Sequence, residues 1–122
     1  FRRVLFRSVG VAISPETPIE EIEEVLHQID QLTIMSVRPG FSGQKFGDEE
    51  RIGSKDVIFK KIRQARNHRD DLTIEIDGGV TDELIQPLID AGVDLIGAGS
   101  LIFKAPNPTE KIKELNQLLP TL

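Results

Sequence analysis

The sequence predicts an α/β domain built on a parallel sheet covered by helices, and three observations predict it. Short apolar runs recur near residues 9–13, 32–37, 72–77 and 94–98. Each is followed by a segment whose apolar residues repeat at helical spacing. Three of the four runs break into glycine on their carboxyl side. Strands this apolar, alternating with amphipathic helices, belong in a sheet whose face is buried under those helices.

The elements follow in order. Val9 to Ile13 is a short buried strand that stops at Ser14-Pro15. Thr17 then suits a helix cap, Pro18 a first helical position and Glu20 the return partner of a capping box. Ile19, Ile22, Val25, Leu26 and Ile29 give that helix its apolar stripe. Residues 32–37, "LTIMSV", form the second strand. In it Ser36 stands between Met35 and Val37, just before the chain breaks into Pro39 and Gly40. After a polar stretch, Val57, Ile58, Ile62 and Ala65 mark a second helix with Lys and Arg toward its end, where cations suit the helix dipole. "LTIEID" at 72–77 is the third strand, broken by Gly78-Gly79, and Thr81 caps a helix that ends at Gly92. "VDLIGA" is the fourth strand, followed by Gly99-Ser100. Asn107 and Pro108 open a closing helix.

Composition narrows the function. The 122 residues carry 39% hydrophobic and 29% charged side chains, enough to bury a core. With no cysteine, disulfides, thiolate catalysis and zinc–thiolate sites are excluded, which fits a reducing compartment. The formal net charge of −5 and the lack of Trp or Tyr argue against a nucleic-acid partner. No stretch is long and apolar enough to predict a membrane span. Residues 1–8, "FRRVLFRS", differ in character from the rest and read as a non-native N-terminal segment, the alternative being an ordinary basic strand. The glycine breaks all fall at the carboxyl edge of the predicted sheet. Ligands bind there in parallel α/β folds, and unobstructed backbone N–H groups at such an edge can cradle a phosphate.

The motifs "MSVRPGFSGQKF", "EIDGGV" and "GAGSLIF", in that order, resemble the ribulose-phosphate 3-epimerase family from about Val9 onward. The resemblance implies that 9–122 is a parallel (β/α) half barrel, the C-terminal four βα units of a TIM (β/α)8 barrel. It also implies metal-assisted C3 epimerisation of D-ribulose 5-phosphate to D-xylulose 5-phosphate in the pentose phosphate pathway. Asp77 is then both a catalytic acid/base and a ligand of one divalent metal ion, with Zn, Fe, Mn and Co all compatible. A plain turn-capping Asp is the structural alternative. The substrate-binding residues carried over are Met35, Gly40, Phe41, Ser42, Gly43, Gly78, Gly79, Gly99 and Ser100. Met35 would face the sugar or simply pack in the core. His27 and His68 lie in helical segments among polar neighbours and are not metal candidates.

Two features depart from the family. Arg38 replaces its usual Asn and would reach a phosphate or sugar hydroxyl, or pair with an acid on the rim. That leaves a hexulose 6-phosphate as an alternative substrate. The segment from Gly47 to about Lys55 looks long. The remaining metal ligands and the second acid of the family have no counterpart here, so the chain itself is expected to be inactive, or to act as a non-catalytic phosphate-binding half barrel. The resemblance further implies a cytoplasmic enzyme, homo-oligomeric in its whole form.

Overall fold

A computed structural model describes residues 8–40, 43–48 and 54–118. The expectations for Phe41 and Ser42, and for residues 1–8 apart from Ser8, fall outside the described residues, as does the middle of the 47–55 segment.

Four strands, β1 (Gly10–Ile13), β2 (Gln31–Met35), β3 (Thr73–Asp77) and β4 (Leu95–Gly97), form one sheet in sequence order. All three neighbouring pairs are parallel. Strand, helix and strand follow one another, and the sheet does not close on itself: this is the half barrel the sequence predicts.

Side chains alternate across the sheet. Ile13, Leu32, Ile34, Ile74 and Ile76 point into a buried core with Ile58, Ile62, Ala65, Ile85 and Leu88 of the helices. The opposite face is polar at its centre. There Glu75 Oε2 accepts hydrogen bonds from Gln31 Nε2 at 2.8 Å and from Thr33 Oγ1 at 2.7 Å. Leu95 stands beside Glu75 in register and is exposed.

The helices are α1 (Glu23–Leu26), α2 (Lys55–His68), α3 (Asp82–Ala91), α4 (Ser100–Phe103) and α5 (Pro108–Leu118). The first differs from its expected form. Pro18 holds the capping position without a side-chain bond, Ile19–Ile22 is a 3-10 turn, and the α-helix lasts one turn. Glu20 does not close a capping box, because its carboxylate accepts Gln64 Nε2 of α2 at 3.0 Å. The Thr17 amide closes a turn on Ser14 instead. Ile29 is buried although it lies beyond the helix.

In α2, Ser54 supplies the cap, accepting the Asp56 amide at 3.1 Å. Val57 is exposed, and Lys61 takes a buried place. Its ammonium donates to the carbonyls of Pro15 at 2.5 Å and Ser14 at 3.3 Å, fixing the loop after β1 to the helix. Burial pushes the Lys61 pKa down, and Glu16 partly offsets it. The cations at the end of α2 also act as staples. Arg66 donates to the carbonyls of Leu72 and Gly92, and Arg69 to those of Leu26 and Ile29. Thr81 occupies the cap position of α3 without a side-chain cap bond, and Gly92 ends that helix at φ 111°. Asn107 Oδ1 caps α5 by accepting the Glu110 amide at 3.2 Å. Helix α4, directly after Gly99, has no counterpart in the sequence reading.

Candidate active site

The carboxyl ends of β2, β3 and β4 open onto one cleft of ≈ 760 Å³. Met35, Asp77 and Gly97 stand side by side there in the strand register, so all three face the same side of the sheet. Met35 lines the cleft, as do Gly40, Gly43, Gly78, Gly79, Gly99 and Ser100. Every sequence-predicted site residue within the described residues therefore meets in one place.

Asp77 is the last residue of β3, exposed to the cleft, and the sole carboxylate lining it among the described residues. Gly97 is the reason it has room. A Cβ at position 97 would lie 3.1 Å from Asp77 Oδ1. A side chain there would crowd the carboxylate, which would have to shift by a few tenths of an ångström.

The turn after Asp77 is built by close approach. Gly79 has φ +62°, and a Cβ there would lie 2.4 Å from the Phe46 amide nitrogen and 2.7 Å from the Gln44 carbonyl oxygen. The backbone of the β2 loop thus lies directly on the Gly78-Gly79 turn. Phe46 anchors that loop from behind, its ring 5.9 Å from Phe59 of α2. Gln44 Nε2 donates to the Arg38 carbonyl at 2.6 Å, drawing the two ends of the glycine loop together. Gly47 continues against α2, where a Cβ would lie 2.6 Å from Lys55 Cα. Gly99 is different. Its φ is −91° and the space around it is open, so neither a left-handed backbone nor crowding requires glycine there.

Ser36 joins these pieces and was not among the predicted site residues. It is fully buried. Its amide and hydroxyl both donate to the Asp77 carbonyl at 2.9 Å, the hydroxyl also reaches the Gly78 carbonyl, and its own carbonyl accepts the Gly47 amide at 2.9 Å. The signal was the polar residue between Met35 and Val37 in an otherwise apolar run. Gly97, Gln44 and Lys104 also belong to the cleft and were missed.

Arg38 takes the second of its two expected places. Its Nε donates to Glu16 Oε1 at 2.5 Å, on the rim. A hydrogen bond from its own backbone amide, and then the Arg38 guanidinium, hold the Glu16 carboxyl below its usual value. His27 is exposed, and His68 Nε2 lies 3.4 Å from Glu23 Oε1 between helices, so neither enters the cleft.

No group of three or more His, Cys, Asp or Glu among the described residues is arranged to hold a metal ion. Asp77 offers a single carboxylate, and catalytic metal sites need about three protein ligands. The described residues thus do not fit a complete metal site. No helix among them is long and apolar enough to cross a membrane.

A parallel half barrel with one strand-end carboxylate and glycine turns around it is the ligand-binding edge of a (β/α) barrel protein. The sequence matches the ribulose-phosphate 3-epimerase family over residues 5–103, and the chain belongs to that family. It is 38% identical over 112 residues to the ribulose-phosphate 3-epimerase of Mycobacterium bovis, covering 88% of this chain and 45% of that protein. The Bacillus subtilis ribulose-phosphate 3-epimerase is 37% identical over 111 residues, 87% of this chain and 48% of the relative. The cytoplasmic isoform of rice is 37% identical over 111 residues, 88% of this chain and 45% of the relative. The chain thus spans about half the length of the curated relatives it matches.

Proposed function

We propose that this chain supplies the phosphate grip and one acid/base of an enzyme that inverts C3 of D-ribulose 5-phosphate to give D-xylulose 5-phosphate, a step of the pentose phosphate pathway. The observation that carries this reading is that Asp77 opens onto the same cleft as Gly79, Gly99 and Ser100. Amides of the Gly78-Gly79 turn and of Gly99-Ser100 hold the phosphate, with Gly40 to Gly43 closing over it. Asp77 takes or returns the proton on the carbon beside the carbonyl. Met35 fills the space beside the sugar and keeps water from it. Family membership implies a divalent metal; its identity and its other ligands lie outside what the described residues supply. The whole enzyme is a homo-oligomer of the cytoplasm in this reading; the rice relative is named as a cytoplasmic isoform.

A second reading, a phosphate-binding half barrel without catalysis, is favoured for the 122-residue chain alone by the single carboxylate in the cleft among the described residues. A hexulose 6-phosphate substrate gains no support from Arg38, whose guanidinium is engaged by Glu16.

The test joins residues 9–122 to the amino-terminal half of the Bacillus subtilis relative and measures epimerisation. Asp77→Asn in that chimera should cost at least ~10²-fold in turnover with little change in phosphate affinity. A folded chimera that is inactive with Asp77 in place overturns the reading. So does an Asp77→Asn chimera that keeps near-normal turnover.

A further inference from the structure

We propose that Lys104 is the cation that neutralises the phosphate group in the cleft, an inference that rests on the phosphate reading above. The cleft presents two cationic side chains among the described residues, Arg38 and Lys104. They are not equivalent. Arg38 is committed to Glu16 at 2.5 Å on the rim. Lys104 has no ion-pair or hydrogen-bond partner for its side chain among the described residues.

Its surroundings explain why it stays free. Lys104 follows α4 directly, and its amide donates to the Ser100 carbonyl at 3.0 Å, so it lies one turn from Ser100 and beside Gly99. On its other side runs a shallow groove that carries Asp82, Glu110 and Glu114. These acids pair with two other lysines, not with Lys104. Lys111 Nζ lies 2.6 Å from Asp82 and 3.3 Å from Glu114, and Lys113 Nζ lies 3.1 Å from Glu110. Lys104 makes no direct ion pair with these acids and stands at the edge of the glycine turns, beside three carboxylates that share two other ammonium groups, on a chain whose net charge is −5. Neutral backbone amides orient a phosphate but bring no full charge, and the protein's overall field repels an anion. A flexible ammonium beside the amides offsets both, adding affinity and steering the anion in. Because the site is open to solvent, its contribution is modest and falls as salt is raised.

Titrating the 122-residue chain with inorganic phosphate, followed by the amide NMR shifts of Gly79, Gly99 and Ser100, tests this. Lys104→Gln should weaken phosphate binding about threefold to fivefold at low salt and flatten its salt dependence. Lys104→Arg should keep both, and Lys60→Gln, an exposed cation of α2 outside the cleft, should leave them unchanged. If Lys104→Gln binds phosphate as tightly as the parent chain, with the same amides moving, the assignment of Lys104 is overturned and the phosphate site stands. If those amides do not move in the parent chain at millimolar phosphate, the site itself falls and the assignment with it.

Discussion

Gly97 stands opposite Asp77 in the β3–β4 register, and a Cβ there would lie 3.1 Å from Asp77 Oδ1 and 3.3 Å from its Cγ. The two positions are complementary: one brings the carboxylate to the cleft and the other leaves it unconfined. The backbone of Gly97 is not in the left-handed region, so glycine is kept for space and not for conformation.

Gly97→Ala should therefore act on the carboxylate and spare the fold. The methyl group must displace Asp77 by a few tenths of an ångström, small against the stability of the sheet but large for a proton-transferring group. Stability by urea unfolding should change by less than about 1 kcal/mol. Turnover of the chimera should fall about 10-fold or more, with phosphate affinity kept. A Gly97→Ala chimera with unaltered turnover would show that Asp77 does not need this room.

Ser36→Ala should do the reverse and act on the fold first. The hydroxyl is buried and reaches two carbonyls, of which the Asp77 carbonyl keeps its bond from the Ser36 amide. The Gly78 carbonyl loses this donor. Leaving such a group short of a donor costs about 1–3 kcal/mol. The expected result is a lower urea midpoint with an unchanged slope. A midpoint within error of the parent would mean that water replaces the hydroxyl at no cost.

Much of this arrangement is legible in the sequence, for reasons that differ residue by residue. The strands are, because Ile34 and Ile76 sit in apolar runs too short for helices and are bounded by glycine. Asp77 is, because it ends such a run before Gly78-Gly79. Ser36 and Lys61 are not: a buried serine or lysine depends on carbonyls that arrive from another segment, more than 40 residues away in each case. The start of the α1 region is hidden for the same reason, since Glu20 chooses Gln64 of α2 over its own helix start. Gly99 looks like the other turn glycines in the sequence, but with φ −91° it lacks their positive φ, and it has none of the crowding of Gly78 and Gly79.

The Glu16–Arg38 pair gives the rim a pH dependence. The folded carboxyl has a pKa below its ordinary 4.5, first through its own amide and then through Arg38 and Lys61, with burial acting the other way. Between the two values the unfolded chain binds more protons than the folded one. The pair's contribution is thus present above pH 4.5 and is lost as pH falls through the folded value. Both side chains are about half exposed, so it amounts to under about 1 kcal/mol. The stability difference between the parent chain and Glu16→Gln should be constant from pH 7 to about 5 and shrink below that. A difference that instead grows on acidification would contradict the assigned direction.

The glycine turns separate into two kinds, and alanine substitution should tell them apart. At Gly79 a Cβ meets backbone: the Phe46 nitrogen at 2.4 Å, the Gln44 oxygen at 2.7 Å and the Lys45 carbonyl carbon at 2.9 Å, with φ +62° adding strain. No side-chain rotation relieves that clash, so the β2 loop must lift away from the turn. Because the same loop lines the cleft, Gly79→Ala should abolish measurable phosphate binding and destabilise the chain by at least ~1 kcal/mol, the usual cost of a left-handed non-glycine residue. At Gly99 a Cβ meets nothing within 4 Å, and the backbone conformation is open to alanine. Gly99→Ala should leave stability within about 0.5 kcal/mol of the parent, the range of a neutral surface change. Its amide is still present, so phosphate affinity should fall no more than about twofold, well under the tenfold that about 1.4 kcal/mol would bring. Urea unfolding and phosphate titration of the two variants side by side decide it. Equal loss in both would mean that the turns are needed for flexibility and not for the close approach of the β2 loop to Gly79.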